Sequence, residues 1–594
     1  MTPKSCKDWD VVVWGGGTGG VAAAVQAARA GVRTLLLTPA GWLGGMLSAA
    51  GVSAPDGHEL SCWQTGFWGA LLRDLEASVA EGLDHNWVSC FGFRPSQAEA
   101  ILQRWVAEES RLHWWSDVDL LELERSADRI VSLTVARRTV PHRDESTRLM
   151  PRIVIDGSDL GDLMAAADAP FRFGWEPDTL WSEPSAPSSE RLAREPFFRE
   201  QPIQSPTWVV MGQLAAGPGP DTPLVPPEPP FQRCLESCGL RRTLTYGRLP
   251  GGLVMLNWPL HGNDWHQGLD RCISSDRRER QDLAAEMQAH SLRFLQTLRA
   301  SSDGWLQAGH AFPGRDPCLA LMPYWREGRR LVGRNVVTEN DLLPMGPNQS
   351  HGPLPMDAHG RCTSIAVGTY ANDHHYPGED WPLAPKSIPW GGRWTGTPFC
   401  IPYGALLGES VSNLLMADKA ISVSHMANGA TRLQPLILNI GQAAGMAAAL
   451  SLQHQCSPLE LPVQDLQSAL LNDPIAPAAV MPIWTIPVWH DAWRSSQHEA
   501  LHDPISMETA SMQAVPASDA APLQESAIQV QGTFLANSES DWQLQTSQGP
   551  RQLMTLEPGV RNLLTQCNNG TQVSVVAAEN PWGPWLRVLR ATII

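Results

Sequence analysis

Apolar positions along the chain fall into three regimes. Asp10 to Trp14 is a short unbroken apolar run, the signature of a strand buried on both faces. A glycine turn, Gly15 to Gly20, follows, then a small-residue segment, Val21 to Ala30, that reads as a helix stopped by Gly31. Arg33 to Leu37 is the next apolar run, which closes one βαβ unit with almost no slack. From Arg94 the spacing is helical. From His113 to Asp156 apolar and polar residues alternate, as in a small antiparallel sheet. Residues 170 to 360 are rich in Pro and Trp, with a helix expected near Arg277 to Arg299. Apolar strands and a small-residue helix return between Ser364 and Leu452. A stretch from about Ser495 to Ser526, rich in Ser, Ala, Pro, His and Gln, has the composition of a tether. Five short alternating segments then predict a separate all-β unit.

The expected fold class is α/β: a Rossmann-like dinucleotide-binding domain with an inserted α+β substrate domain, plus a small C-terminal all-β domain. The corresponding boundaries are 1–170 and 361–490 for the two parts of the first domain, 171–360 for the insert, 491–526 for the linker and 527–594 for a barrel-like unit. A chain of 594 residues is long enough for such a division. The formal net charge of −17 argues against a nucleic-acid partner, since an acidic surface repels phosphate. The 11 cysteines show no C-x-x-C pair, and no histidine cluster has metal-ligand spacing, so no metal is expected. The N-terminus lacks a signal-peptide pattern, and no run reaches the ~18 apolar residues of a membrane span. The chain reads as cytoplasmic.

Gly15, Gly17 and Gly20 satisfy G-x-G-x-x-G in the required strand–turn–helix setting. The first allows the tight turn, the second leaves room for a pyrophosphate, and the third lets helix and strand approach. The helix N-terminus then faces the anion. The acid that usually holds a ribose is absent, and Thr38 stands in its place. This counts against a ligand held mainly through that ribose, such as NAD, more than against FAD.

Four further segments occur in order: GWLGGMLSAAGVSAPDGH from Gly41, DGSDLGDLMAAADAPFRFG from Asp156, PYWREGRRLVG from Pro323, and Ile401 to Leu450 with its GQAAGMAAAL helix. Together with the glycine turn they resemble the FAD-dependent oxidoreductase family of glutathione-reductase-like two-dinucleotide-fold flavoproteins, some of whose members are labelled xanthan lyases. The resemblance spans roughly residues 8 to 480. It implies FAD as cofactor and a redox role, and it leaves the substrate open. It places Gly44 and Gly45 beside the pyrophosphate and ribityl chain. It also puts the N-terminus of a helix around Asn439 to Leu450 at the flavin, with Gly441, Gln442 and Ala443 as backbone donors. Where members read Ala-Gly-Arg, this chain has Ala417, Asp418 and Lys419. Asp418 is therefore a candidate for the ribityl hydroxyls.

For catalysis, Asp373 and His375 match a D-x-H feature, and a neutral His beside a carboxylate suits a general base. His425 matches a family histidine near the flavin. Arg329, with Arg326 and Arg330, forms a cationic group able to hold a carboxylate or phosphate. Asn257, His261, Asn263 and Asp264 form a polar island among tryptophans, suited to a polyhydroxy ligand. The expected activity is hydride transfer from a small organic substrate to flavin N5. The alternative is a non-catalytic flavoprotein scaffold whose C-terminal β domain docks a protein partner.

Overall fold

The architecture is taken from a computed structural model. It describes all residues except 1–4, 79–82, 84–88, 139–145, 258–261, 344–350, 378–386, 391–392, 505–526, 539–540 and 580–584. At its centre is a seven-stranded sheet. β1 (Ser5–Trp14) lies between β2 (Thr34–Leu37) and β6 (Ser146–Asp156), parallel to both, with β3 (Leu112–Trp115) parallel on the outside of β2. β4 (Val118–Ser126) and β5 (Arg129–Arg137) run antiparallel beyond β6. The alternating 113–156 region is therefore not a sheet of its own. Ile153, Val154 and Ile155 are buried and continue the apolar layer of β1, which makes β6 a central strand.

The chain returns to this sheet late. Leu414–Met416 pairs in parallel with Val154–Asp156 and brings Ala417 and Asp418 to the ends of β1 and β6. This strand stops after three residues because the backbone turns and bends from Asp418 to Ser422. Helix α1 (Thr18–Arg29) packs on a long buried helix, Gln434–Gln453. The contact is so close that a Cβ on Gly441 would lie 2.2 Å from the Gly19 carbonyl oxygen, and one on Gly445 would lie 2.2 Å from that of Ala23. The small-residue stripe is thus a packing seam. Among the described residues this is the one helix long and apolar enough to cross a membrane, and it is a core helix here, with most of its surface covered by protein.

The insert carries an antiparallel four-stranded sheet: Leu306–Ala308, Val210–Leu214, Leu253–Leu256 and Arg248–Leu249 in spatial order. The helix Arg277–Ser301 covers it, with Ser291 donating to the Trp208 carbonyl at 2.6 Å. Trp493–His502 is helical, so the irregular stretch begins later than its composition suggests. Residues 505–526, the rest of the expected tether, lie outside the described residues.

The C-terminal strands close into a barrel in the order Ile528–Ser538, Asp541–Thr546, Gly549–Thr555, Trp585–Ile593 and Gln572–Glu579. The third and fifth strands in sequence run parallel, and a helix, Pro558–Gln566, connects the third to the fourth. This is the strand order of an OB-fold. Its core is Phe534, Trp542, Leu544, Leu553 and Val575, with Val560 and Leu564 of the helix as a plug. The barrel is anchored to the main body: Met554 and Leu556 join the main hydrophobic core, Ser61 N–H donates to the Leu556 carbonyl at 2.9 Å, and the Ser61 hydroxyl donates to Glu557 at 2.8 Å.

Candidate functional site

The glycine turn after β1 is locked by its neighbours. Gly15 has φ +97°, and a Cβ there would meet Gly157 and the Ser158 amide at 2.6 Å, so only glycine fits. Gly17 caps α1 without a side chain, and a Cβ on Gly20 would lie 2.1 Å from the Gly15 carbonyl oxygen. Gly44 and Gly45, at φ +102° and +51°, lie against this turn: Gly44 N–H donates to the Gly16 carbonyl at 2.8 Å, and the Thr18 hydroxyl donates to the Gly44 carbonyl at 2.8 Å. The two glycine motifs, read separately from the sequence, form one surface.

Asp418 sits at the same helix end. It accepts hydrogen bonds from Gly19 N–H and Lys419 N–H, each at 2.8 Å. Burial raises its pKa, and the Lys419 ammonium opposes that shift. Lys419 also pairs with Asp159. Burial alone would lower the Lys419 pKa, but Asp159 and Asp418 outweigh it and hold the ammonium charged.

Other expected contacts are reassigned. The Thr38 hydroxyl donates to the Ala40 carbonyl at 2.6 Å and accepts from the Trp114 indole at 2.9 Å, so it is engaged within the chain. Gly441, Gln442 and Ala443 are not at a helix start. The helix begins at Gln434, which puts their amides two turns inside it, in the interior hydrogen-bond ladder. The Gln442 side chain ties Phe67 N–H (3.1 Å) to the Ala476 carbonyl (2.8 Å). The residues at the helix start are Gln434, Leu436 and Ile437. Arg329 is likewise removed from the histidines. It donates to the carbonyls of Leu160 (2.9 Å) and Ile273 (3.1 Å) and stacks over Phe171.

His375 is bracketed. Its Nδ1 lies 3.0 Å from Asp264 and its Nε2 lies 2.7 Å from Asp373. Both ring nitrogens are engaged by carboxylate oxygens of the chain, so neither faces an open position where a substrate proton could be taken. Asp264 is held further by Arg326 at 3.0 Å, and Asp373 by Arg432 at 3.0 Å. Burial would raise the pKa of each carboxyl, but Arg326 and His375 outweigh it and bring Asp264 down to about 2. His375 and Arg432 likewise outweigh burial at Asp373 and hold it well below the usual carboxylate range. The expected His375 general base is thus corrected: the imidazole is a clamp between two carboxylates.

What remains reachable is Asp373 itself. Its side chain is 41% exposed, and Tyr370, His374 and Tyr376 beside it are half-buried. Yet burial dominates the titration of all of them except Asp373, raising both phenols well above their usual value and lowering His374 well below its own. These partly exposed side chains, set where Asp264 and Arg326 of the insert meet His375 and Arg432 of the returning half of the first domain, are the candidate lining of a substrate recess. His425 lies on its wall. Its Nδ1 is 2.9 Å from Glu327 and its Nε2 is 2.6 Å from the Tyr376 hydroxyl, and the ring lies on Trp175 with centroids 3.9 Å apart. Arg330 is buried between Glu176 (2.7 Å) and Glu327 (3.0 Å). The Arg326 and Arg330 guanidinium groups are therefore committed to protein carboxylates. Of the polar island, Asp264 belongs to the His375 clamp and Asn263 donates to the Trp208 and Leu256 carbonyls, while His261 lies outside the described residues.

Sequence reasoning missed Tyr376, Glu327, Glu176 and Arg432. Tyr376 directly follows the Asp373–His375 feature, and Glu327 stood between two arginines. Arg432 carried no local signal.

His58 ties the floor of this region together. Its backbone N–H donates to Thr369 at 2.9 Å and its Nε2–H to the Val367 carbonyl at 2.7 Å. Burial lowers its pKa to about 4. Between pH 6.5 and 4 the unfolded chain therefore binds a proton at this position that the folded chain does not, and this contribution to stability falls as pH falls, by about 3 kcal/mol across the window. Urea unfolding at pH 7 and pH 4.5 is expected to show a smaller acid loss in His58→Gln than in the wild type. Equal losses would remove His58 as the cause.

A parallel-sheet dinucleotide fold with two fused glycine motifs at one end, and a returning segment that supplies an acid to the same end, is the architecture expected of a flavin-binding oxidoreductase. A sequence profile of FAD dependent oxidoreductases matches residues 10–470, and the chain belongs to that family. No curated protein matches it significantly. Among solved structures it is similar to a geranylgeranyl bacteriochlorophyll reductase-like protein from Thermoplasma acidophilum (11% identity, 79% of this chain and 84% of that one, TM-score 0.34). It is also similar to p-nitrophenol 4-monooxygenase from Pseudomonas putida (11% identity, 56% and 70%, TM-score 0.27). A third is L-proline dehydrogenase from P. horikoshii (13% identity, TM-score 0.16), where the match covers 29% of this chain and 25% of that one.

The residues present fit FAD. The α1 N-terminus and the bare Gly15–Gly17 and Gly44–Gly45 backbones suit a pyrophosphate. Near Asp373, several buried polar atoms find no partner among the described residues: both amide atoms of Asn372, the Gln434 Oε1 and the Arg432 Nε. Buried groups of this kind need partners, and a flavin pyrimidine edge, which carries both donors and acceptors, is chemically matched to them.

Proposed function

We propose that the protein oxidises a small organic substrate that carries a hydroxyl or amine beside a C–H bond, bound in the recess at Asp373. FAD, when bound, supplies the two-electron acceptor, its N5 taking the hydride. Gly15, Gly17, Gly20, Gly44 and Gly45 hold its phosphates and ribityl chain, with Asp418 near the ribityl hydroxyls. Asn372, Arg432 and Gln434 serve the ring.

The observation that carries this reading is Asp373. It is a carboxylate kept ionised by His375 and Arg432, yet it keeps a reachable face. An ionised acceptor there orients a substrate O–H or N–H. Anaerobic mixing with a panel of glycerol, glucose, lactate, benzyl alcohol and L-proline, followed at the visible flavin bands, tests it. At least one compound is expected to bleach the flavin. Asp373→Asn is expected to slow that reduction by roughly 10- to 100-fold, the cost of a lost charged hydrogen bond, with flavin content unchanged. A variant that reduces at the wild-type rate would remove Asp373 from substrate binding.

A further inference from the structure

Asp373 is engaged on one side only. Its Oδ2 meets His375 Nε2 (2.7 Å), Arg432 Nη2 (3.0 Å) and the Tyr370 hydroxyl (3.4 Å). Its Oδ1 has no hydrogen-bond partner among the described residues, and the side chain is 41% exposed. The crowded oxygen fixes the carboxylate in place. The open one is a charged acceptor with room for a donor from outside the chain.

The cations nearby are spent. Arg432 is 2% exposed and also donates to the Tyr324 hydroxyl at 2.6 Å, and Arg326 is 2% exposed on Asp264. Arg330 is buried on Glu176 and Glu327. His375 has a carboxylate on each ring nitrogen. Asp264 and Asp373 pair with Arg326 and Arg432, and Asp56 adds its charge on the Tyr370 and Arg432 side. Three carboxylates against two guanidiniums leave this group without net positive charge, whether or not His375 carries a proton.

A ligand carboxylate here would meet an open carboxylate oxygen and no free cation. A hydroxyl could donate to Oδ1 as a neutral partner. An ammonium donates and brings the opposite charge, which makes a stronger bond. The partly exposed Tyr370 ring beside it attracts a cation and does little for an alcohol. We propose that Asp373 Oδ1 anchors an organic ammonium, and that the substrate is an amine carrying no carboxylate next to its nitrogen. The substrate part rests on the oxidation proposed above; the ammonium anchor does not.

tert-Butylammonium, tert-butanol and pivalate have nearly one shape and no hydrogen on the carbon that bears the polar group. None can lose a hydride from that carbon, so binding is read alone. Saturation-transfer NMR titration of the FAD-loaded protein at pH 7.5, followed at the tert-butyl signal, gives the three Kd values. The ammonium is expected to bind ~10-fold more tightly than the alcohol, the difference between a charged and a neutral hydrogen bond. Pivalate is expected to bind most weakly. In Asp373→Asn, which keeps the side-chain size, the ammonium should fall to within ~3-fold of the alcohol, with flavin content unchanged. The wild-type order needs no variant: an ammonium that does not bind, or binds no tighter than the alcohol or pivalate, overturns the anchor. An ammonium preference that survives in Asp373→Asn overturns it too, since the cation then sits elsewhere. Benzylamine added to the oxidation panel separates the two readings. If the ammonium order holds and no compound bleaches the flavin, the oxidation falls and the anchor stands. If benzyl alcohol or lactate bleaches it faster than benzylamine, the oxidation stands and the amine assignment falls.

Discussion

Gly17→Val is expected to yield a folded, colourless protein. A Cβ at Gly17 would lie 2.9 Å from both the Asp418 carboxylate and the Gly157 carbonyl oxygen, and valine adds two methyl groups beyond it. Those methyls force Asp418 away from the Gly19 amide or push Gly157 away from the turn, and either shift reshapes the α1 N-terminus expected to meet a pyrophosphate. Either outcome removes the phosphate site, and the expected loss of FAD affinity is at least about 1,000-fold, or ~4 kcal/mol. Flavin absorbance per polypeptide measures it, with far-UV circular dichroism as the check on folding. Gly17→Ala, which adds only the Cβ, is expected to fall between the two. Full flavin content in Gly17→Val would mean that the phosphate loop lies elsewhere.

The second large effect is on stability. Arg330 is fully buried, and its guanidinium is shared between Glu176 and Glu327 while also donating to the Val423 carbonyl at 3.1 Å. Glu327 in turn holds the His425 ring, and Glu176 accepts from the His425 backbone N–H at 2.9 Å. Arg330→Met keeps much of the volume but leaves two buried carboxylates with too little positive charge. Removing one partner of a buried ion pair typically costs 3–5 kcal/mol, roughly the size expected here. Arg330→Met/Glu327→Gln should recover part of the loss, because the double change removes one of the stranded charges. Urea unfolding of the two variants and the wild type checks both statements. A single variant within about 0.5 kcal/mol of the wild type would show that the cluster is not a coupled network.

The parts legible in the sequence were those with a local period or a local motif. The turn from Gly15 to Gly20 could be read because strand, glycines and helix adjoin. The small-residue helix could be read because Gly441, Ala444 and Gly445 recur at helical spacing. The resemblance misplaced its start near Asn439, since small residues mark where a helix packs and not where it begins. The better start signal was Pro435 in the first turn, since proline is tolerated there and not in a helix interior. Asp373 and His375 were found because they adjoin. Their roles were misjudged because the deciding partner, Asp264, lies 111 residues away and fills the other ring nitrogen. Glu327 and His425 are 98 residues apart, a distance at which a single sequence carries no pairing signal. The C-terminal strands were legible from alternation. The helix Pro558–Gln566 was not, because its apolar face is only Val560, Leu563 and Leu564 within nine residues.

The central claim is that the two glycine motifs and Asp418 form an FAD site in a protein that uses the flavin for redox chemistry. Denaturing the purified protein and identifying what it releases tests this most directly. FAD is expected, close to one per chain, from a yellow protein whose visible bands disappear on reduction and return in air. Release of NAD, or of no nucleotide from a protein reconstituted with excess FAD, would contradict it.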